Sequence, residues 1–306
     1  MESVIAVEHL CHRYGKQYIY RDLNFSIPPG KIYGLLGKNG VGKTTLIKIL
    51  MGFLWPVSGR CRVFGEDSHA LTAKTRARIG LLFEGHVAYE FMSIRQIEKF
   101  YAPFYDNWDG AIYYRMVEKL GLQPGHLIKN MSCGQRSQVV LGLLMAQQPE
   151  MLLLDDYSIG LDAGYRRLFL DEMHEYLDQG NRTVFLTSHV IQDMESFVDE
   201  VIFLERGGEL LATSLDTFKQ TFSCFRLPTH GEDGTLLPQG LNHQELLAAC
   251  PSIKNIEAHK AYWDIFSFTS ESALKSALSD LNINVGAMIH VPMSLEDAFI
   301  GYTGRY

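Results

Sequence analysis

Nine consecutive residues, Gly37-Lys38-Asn39-Gly40-Val41-Gly42-Lys43-Thr44-Thr45, have the types and spacing needed to hold a phosphate chain. The pattern is G-x-x-x-x-G-K-T. Glycines let the backbone curl so that successive N–H groups point inward at an anion, and a following helix adds the positive end of its dipole. In this arrangement Gly37, Asn39, Gly40 and Gly42 belong to the cradle, and Lys43 reaches the β- and γ-phosphates. The Thr44 hydroxyl ligates Mg²⁺, with Thr45 beside it. A second group with matching chemistry is Asp155, which ends the apolar run Met151-Leu152-Leu153-Leu154. A carboxylate at the end of a buried strand is where a phosphate-loop NTPase places its second Mg²⁺-holding acid.

These side chains need a rigid frame, and the surrounding sequence supplies one. Lys31-Ile32-Tyr33-Gly34-Leu35-Leu36 reads as a buried strand entering the loop, and Leu46-Ile47-Lys48-Ile49-Leu50-Met51 as the helix leaving it. Ile79 to Phe83, Met151 to Leu154 and Thr183 to Thr187 are further continuous apolar runs, the signature of parallel strands buried on both faces. Arg166 to Leu177 reads as a crossover helix, and residues 86–145 are helix-rich, with apolar spacing over Ile94 to Tyr101 and Ala111 to Leu120. Val4 to Val7 and Leu23 to Ile27 read as two short strands around a polar turn, and Arg60 to Gly65 as an edge strand. The alternation is that of an α/β protein with its chemistry at the strand C-termini. Pro228 to Gly240 reads as a linker. After it come a strand over Trp263 to Phe268, a helix over Glu271 to Leu281 and a strand over Val285 to Val291. Ser294-Leu295-Glu296-Asp297 reads as a helix start.

One further motif narrows the class. Met131-Ser132-Cys133-Gly134-Gln135 precedes a helix and the Asp155 strand. Read locally it is a Ser N-cap with a nearby glycine. In this order it resembles the L-S-G-G-Q signature of ATP-binding cassette (ABC) ATPases, and the resemblance spans residues 1–220 with nearly every family motif in sequence. It implies an ABC-type P-loop core with an antiparallel β subdomain and a helical signature subdomain, followed by a small C-terminal α/β domain over 221–306. It also implies that ATP and Mg²⁺ are bound. Ser132, Gly134 and Gln135 would then face the γ-phosphate held by a second subunit. By the same resemblance Tyr14 stacks on adenine, Glu84 touches Mg²⁺ and the membrane partner, and Asp162 lies in a loop crossing the dimer interface. His189 senses the γ-phosphate, and Asp156 acts as general base. Asp162 is also a natural helix N-cap, and both roles can hold together.

Three positions depart from the family pattern. Glu84 stands where a glutamine is usual, and Cys133 where a glycine is, which would matter if that backbone angle were one only glycine tolerates. Asp156 replaces glutamate, setting the carboxylate back by roughly 1.5 Å. A misplacement of about 1 Å can cost on the order of 10²-fold in rate, so the expectation is a weak but real ATPase.

The chain has 306 residues, 46% hydrophobic and 21% charged, with a formal net charge of -7. That balance argues against nucleic acid as a partner, which needs a basic face. Cys11, Cys61, Cys133, Cys224 and Cys250 show no C-x-x-C spacing and read as reduced cytosolic thiols. The first residues lack the pattern of a signal peptide, and no apolar run is long enough to span a membrane. Met293-Ser294-Leu295-Glu296-Asp297-Ala298-Phe299 and Tyr105-Asp106-Asn107-Trp108-Asp109 resemble stretches of ATPases from ABC-2-type bacterial exporters. This implies a cytoplasmic protein, peripheral on the inner face of the membrane. It would work as one of two ATPase subunits, in a homodimer, under membrane-spanning permease subunits. The rivals are a soluble ABC protein of DNA repair or translation and a slowly turning regulatory ATP-binding subunit.

Overall fold

The structure, a computed structural model, describes residues 3–83, 89–178, 180–208, 210–229 and 243–304. Glu84, and most of the stretch read as a linker, lie outside the described residues. The chain divides into two compact units, one of Met1–Val190 with Phe197–Ala212, the other of Ile191–Ser196 with Thr213–Tyr306.

The first unit opens with β1 (Ile5–Tyr14) and β2 (Gln17–Ile27), then β3 (Ile32–Leu36) and α1 (Lys43–Leu50). Next come β4 (Ser58–Val63), β5 (Glu66–Asp67), α2 (Ala73–Ala77) and β6 (Ile79–Leu82). A helical layer follows, α3 (Ile94–Tyr101), α4 (Gly110–Lys119) and α5 (Cys133–Ala146). β7 (Met151–Leu154), α6 (Ala163–Leu177) and β8 (Thr183–Thr187) complete the run of strands around the loop. α7 (Ile191–Glu195) belongs to the second unit, after which β9 (Glu200–Leu204) and β10 (Leu210–Ser214) return to the first unit's sheet.

That sheet has six strands in the order β10-β9-β3-β8-β7-β6. β3 pairs in parallel with β8 and β9, and β7 in parallel with β6 and β8. Every residue of β7 and β8 is buried, as strands covered on both faces require. One core packs Ile47, Ile49 and Leu50 of α1 with Leu35, Leu153 and Phe185 of the sheet. Ile94, Tyr113, Val117, Val139 and Leu143 form a separate helical core. α5 is apolar on most of its circumference because it is buried on most of it.

The antiparallel sheet, in the order β2-β1-β4-β5, corrects two expectations. β1 and β2 run ten and eleven residues, not two short stretches. Left-handed backbone at His9 and Asp22 and repeated register shifts along the pair break the two-residue alternation that would have shown their length. β4 is interior, between β1 and β5, and is not an edge.

In the second unit α8 (Leu215–Thr221) leads into β11 (Ser223–Pro228), α9 (His243–Ala249), β12 (Ile253–Ala258), β13 (Tyr262–Ser267), α10 (Glu271–Asp280) and β14 (Ile289–Val291). The antiparallel order β12-β13-β11-β14 makes this a β-α-β-β-α-β unit of ferredoxin-like topology. β11, α9 and β12 escaped the sequence reading, and the strand expected over Val285 to Val291 is confined to its last three residues. Phe225, Leu246, Trp263, Ile265, Leu274 and Leu278 form its core. α11 (Leu295–Thr303) starts where expected, with Ser294 and Asp297 in a capping box.

Candidate functional site

The loop between β3 and α1 is shaped by contacts that only glycine allows. Gly42 has φ +113°, and a Cβ there would lie 2.4 Å from the Tyr20 hydroxyl oxygen and from Ile19. Tyr20, fully buried on β2, donates its hydroxyl to the Gly42 carbonyl. Burial raises its pKa well above the phenol value, so it serves here as a donor. A Cβ on Gly37 would lie 2.6 Å from the Leu204 carbonyl oxygen of β9. The loop is therefore seated against both sheets of the unit.

Lys43 is the first residue of α1, and its Nζ folds back to donate to the carbonyls of Gly37 at 2.6 Å and Lys38 at 3.3 Å. Burial lowers its pKa, with Asp156 and Asp155 acting in the opposite direction. Thr44 donates to Asp155 Oδ1 at 3.1 Å, and Thr187, the last residue of β8, donates to the same oxygen at 3.2 Å. One carboxylate oxygen thus ties α1, β7 and β8 together. A hydroxyl and a carboxylate oxygen at this separation are hard donors of the kind Mg²⁺ takes, so these residues fit that ion.

Asp156 has left-handed backbone, φ +51°, uncommon for a residue with a side chain and better tolerated by Asp than by most. Its amide donates to Thr187 Oγ1 at 2.8 Å. Its carboxylate accepts from Ser158 at 3.1 Å and lies 2.5 Å from His189 Nε2. Ser158 meets Ser188 at 2.9 Å, and Ser188 Oγ accepts from the Val190 amide. Asp156 is buried, whereas His189 is 53% exposed in its side chain, so the pair runs from the sheet edge to the surface. Strained backbone held by several converging bonds is typical of functional positions.

Tyr14 ends β1 and is exposed, its hydroxyl 3.4 Å from Thr45 Oγ1. The structure thus gathers Tyr14, Lys43, Thr44, Thr45, Asp155, Asp156 and His189 around one loop. Thr187, Ser158 and Tyr20 join them unannounced. A buried threonine closing the Val184-Phe185-Leu186 apolar run just before Ser188-His189 was the available signal for Thr187.

Ser132, Gly134 and Gln135 form a second group, at the start of α5. Ser132 caps the helix, accepting from the Gln135 amide at 3.2 Å while the Gln135 side chain accepts from the Ser132 amide at 3.0 Å. Cys133 is helical and outside the left-handed region, so the position demands no glycine angle. Gly134 does demand glycine, for space: a Cβ there would lie 2.3 Å from the Tyr165 ring of α6. Asp162 caps α6, accepting from the Tyr165 amide at 3.0 Å. Gly134→Ala is therefore expected to force Tyr165 aside and lower stability by about 1–3 kcal/mol. Urea unfolding checks this, with Gly134→Ala/Tyr165→Ala recovering part of the loss; an unchanged midpoint in Gly134→Ala would refute the packing argument.

The family model described as "ABC transporter" matches residues 20–158. The bacitracin transport ATP-binding protein BcrA of Bacillus licheniformis is 29% identical over 222 residues, 72% of each chain. The linearmycin resistance ATP-binding protein LnrL of Bacillus subtilis is 27% identical over an alignment of 316 positions that covers 99% of each chain. The Nod factor export ATP-binding protein I of Ralstonia nicotianae is 25% identical, covering 99% of this chain and 94% of that one. Among solved structures, an ATP-binding subunit of an ABC transporter superposes with a TM-score of 0.63 at 23% identity, over 71% of this chain and 92% of the other. A dimeric ATP-binding cassette in a post-hydrolysis state superposes with a TM-score of 0.59 at 19% identity, over 69% and 98%.

Proposed function

The chain belongs to the ATP-binding cassette family, as an ATPase that serves as the ATP-binding subunit of an ABC transporter, and on that premise we propose how its residues divide the work. The backbone of Gly37 to Gly42 and the Lys43 ammonium hold the phosphates of ATP, and Tyr14 carries the base. Thr44 and Asp155, with Glu84, hold Mg²⁺. Mg²⁺ held there would supply positive charge to offset the negative charge that develops during phosphoryl transfer. Asp156 accepts the proton of the attacking water, oriented by His189 and Ser158. Ser132, Gly134 and Gln135 are offered to the γ-phosphate of a second copy, with Asp162 in the adjoining loop.

The observation that carries this reading is the convergence on one loop of Lys43, Thr44 and the two consecutive acids of β7's end. The work it powers is export through separate membrane-spanning subunits, the activity printed in the name of one full-length relative. The same comparisons favour a transporter over the soluble and regulatory alternatives. No helix among the described residues is long and apolar enough to cross a membrane. The second unit serves as an accessory module that supports pairing of two ATPase subunits.

The test is a pulldown of the full chain from its native membranes in mild detergent. A multi-span membrane protein in near-equal ratio is expected. Recovery of soluble partners alone would overturn the transporter assignment while leaving the ATPase intact.

A further inference from the structure

His12 lies on β1 two residues before Tyr14 and is 5% exposed. Neither of its ring nitrogens has a hydrogen-bond partner among the described residues. Buried polar groups are ordinarily paired, so an imidazole left this way asks for an explanation. Its neighbours point to one. The ring meets Tyr14 edge-to-face, centroids 4.9 Å apart at 83°. Across the strand pair it stands opposite Tyr20, whose hydroxyl donates to Gly42. Tyr14 in turn reaches Thr45. His12 therefore sits between the two tyrosines that touch the phosphate loop, and it is the only one of the three with no bond of its own to give.

We propose that His12 is a positioning residue for the nucleotide base: its neutral ring props Tyr14 beside the loop, and protonation releases that platform, so nucleotide affinity falls as the medium acidifies. This rests on the reading of Tyr14 as the base platform. Of the groups beside His12, Tyr14 on its own strand and Tyr20 opposite it on β2 are phenols, and the buried Cys61 of the neighbouring β4, close enough to act on Tyr20, is a thiol; none of the three offers a carboxylate to pair with an imidazolium. Burial lowers the His12 pKa from the ordinary value of 6.5, with no charge contributing. The direction follows from linkage. A histidine whose pKa is depressed in the packed state costs nothing above 6.5. Below it the packed state loses ground as pH falls, until the depressed value is passed.

The experiment measures the Kd of a ribose-labelled fluorescent ADP for the full chain at pH 7.5 and 5.5. Wild type is compared with His12→Phe, which keeps an aromatic edge, and His12→Gln, which stays polar and uncharged. Protonation of the nucleotide's own phosphate enters every ratio equally. The weakening from pH 7.5 to 5.5 is expected to be larger in wild type than in either variant, by up to about tenfold, the limit set by the interval between the ordinary value of 6.5 and the lower pH. Equal ratios in wild type and a folded variant overturn the role of His12. Tyr14→Ala separates the two readings: loss of a stacking platform should weaken binding at pH 7.5 by about fivefold to a hundredfold. Unaltered binding there would overturn the platform, and the proposal with it.

Discussion

Asp156→Asn is expected to lower steady-state phosphate release by about 10²- to 10⁴-fold, the range a positioned general base contributes. Asn is nearly isosteric and shares the tolerance of Asp for left-handed backbone, so the φ of +51° can be kept. The bonds from the Asp156 amide to Thr187 and from Ser158 to the side-chain oxygen can also be kept. What is lost is the negative charge, the proton-accepting oxygen and the carboxylate contact with His189 Nε2. Nucleotide affinity should stay within about threefold, because the change removes a transition-state interaction more than a ground-state one. Asp156→Glu pushes the carboxylate forward by roughly 1.5 Å, past its present partners, and should retain far more activity than the amide. Indistinguishable phosphate release from wild type and Asp156→Asn would remove Asp156 from the mechanism.

Lys43→Ala should damage both binding and turnover. Lys43 is partly buried between two backbone carbonyls and two aspartates, so its ammonium is a fixed positive charge within the phosphate loop. Without it the carboxylates of Asp155 and Asp156 face the anion unbalanced. A charge-assisted contact of this kind contributes about 1.5–3 kcal/mol, so the Kd for ATP should rise roughly 10- to 150-fold by the arithmetic of affinity. Turnover should fall further, by about 10²–10³, since the same charge stabilises the transferring phosphoryl group. Isothermal titration and a phosphate-release assay measure the two separately, with unfolding curves as the control. The truncated side chain sits at the start of a helix and makes no buried apolar cluster, so near-normal stability is expected. Retained turnover in a folded variant would mean the loop holds no phosphate.

How much of this was readable in advance differs from residue to residue. The phosphate loop, the strand ending at Asp155 and the signature helix are local objects. Their cues are a fixed spacing of glycines, an apolar run and a capping serine, all within reach of a short window of sequence. The α/β class followed from the same windows, since a strand buried on both faces must be apolar throughout. The lengths of β1 and β2 were hidden because bulges reset the alternation that reveals a strand. Three decisions belong to the tertiary structure alone. Gly134 is required by the ring of Tyr165, thirty-one positions later in the chain and packed onto it only by the fold. Thr187 bridges both acids because β7 and β8 lie side by side, which no spacing along the chain records. His12 reads as an ordinary strand residue until the sheet buries its two nitrogens without partners beside Tyr14. Sequence patterns carry what a residue needs from its neighbours along the chain, whereas burial, steric room and pairing across strands are set by residues far away in it.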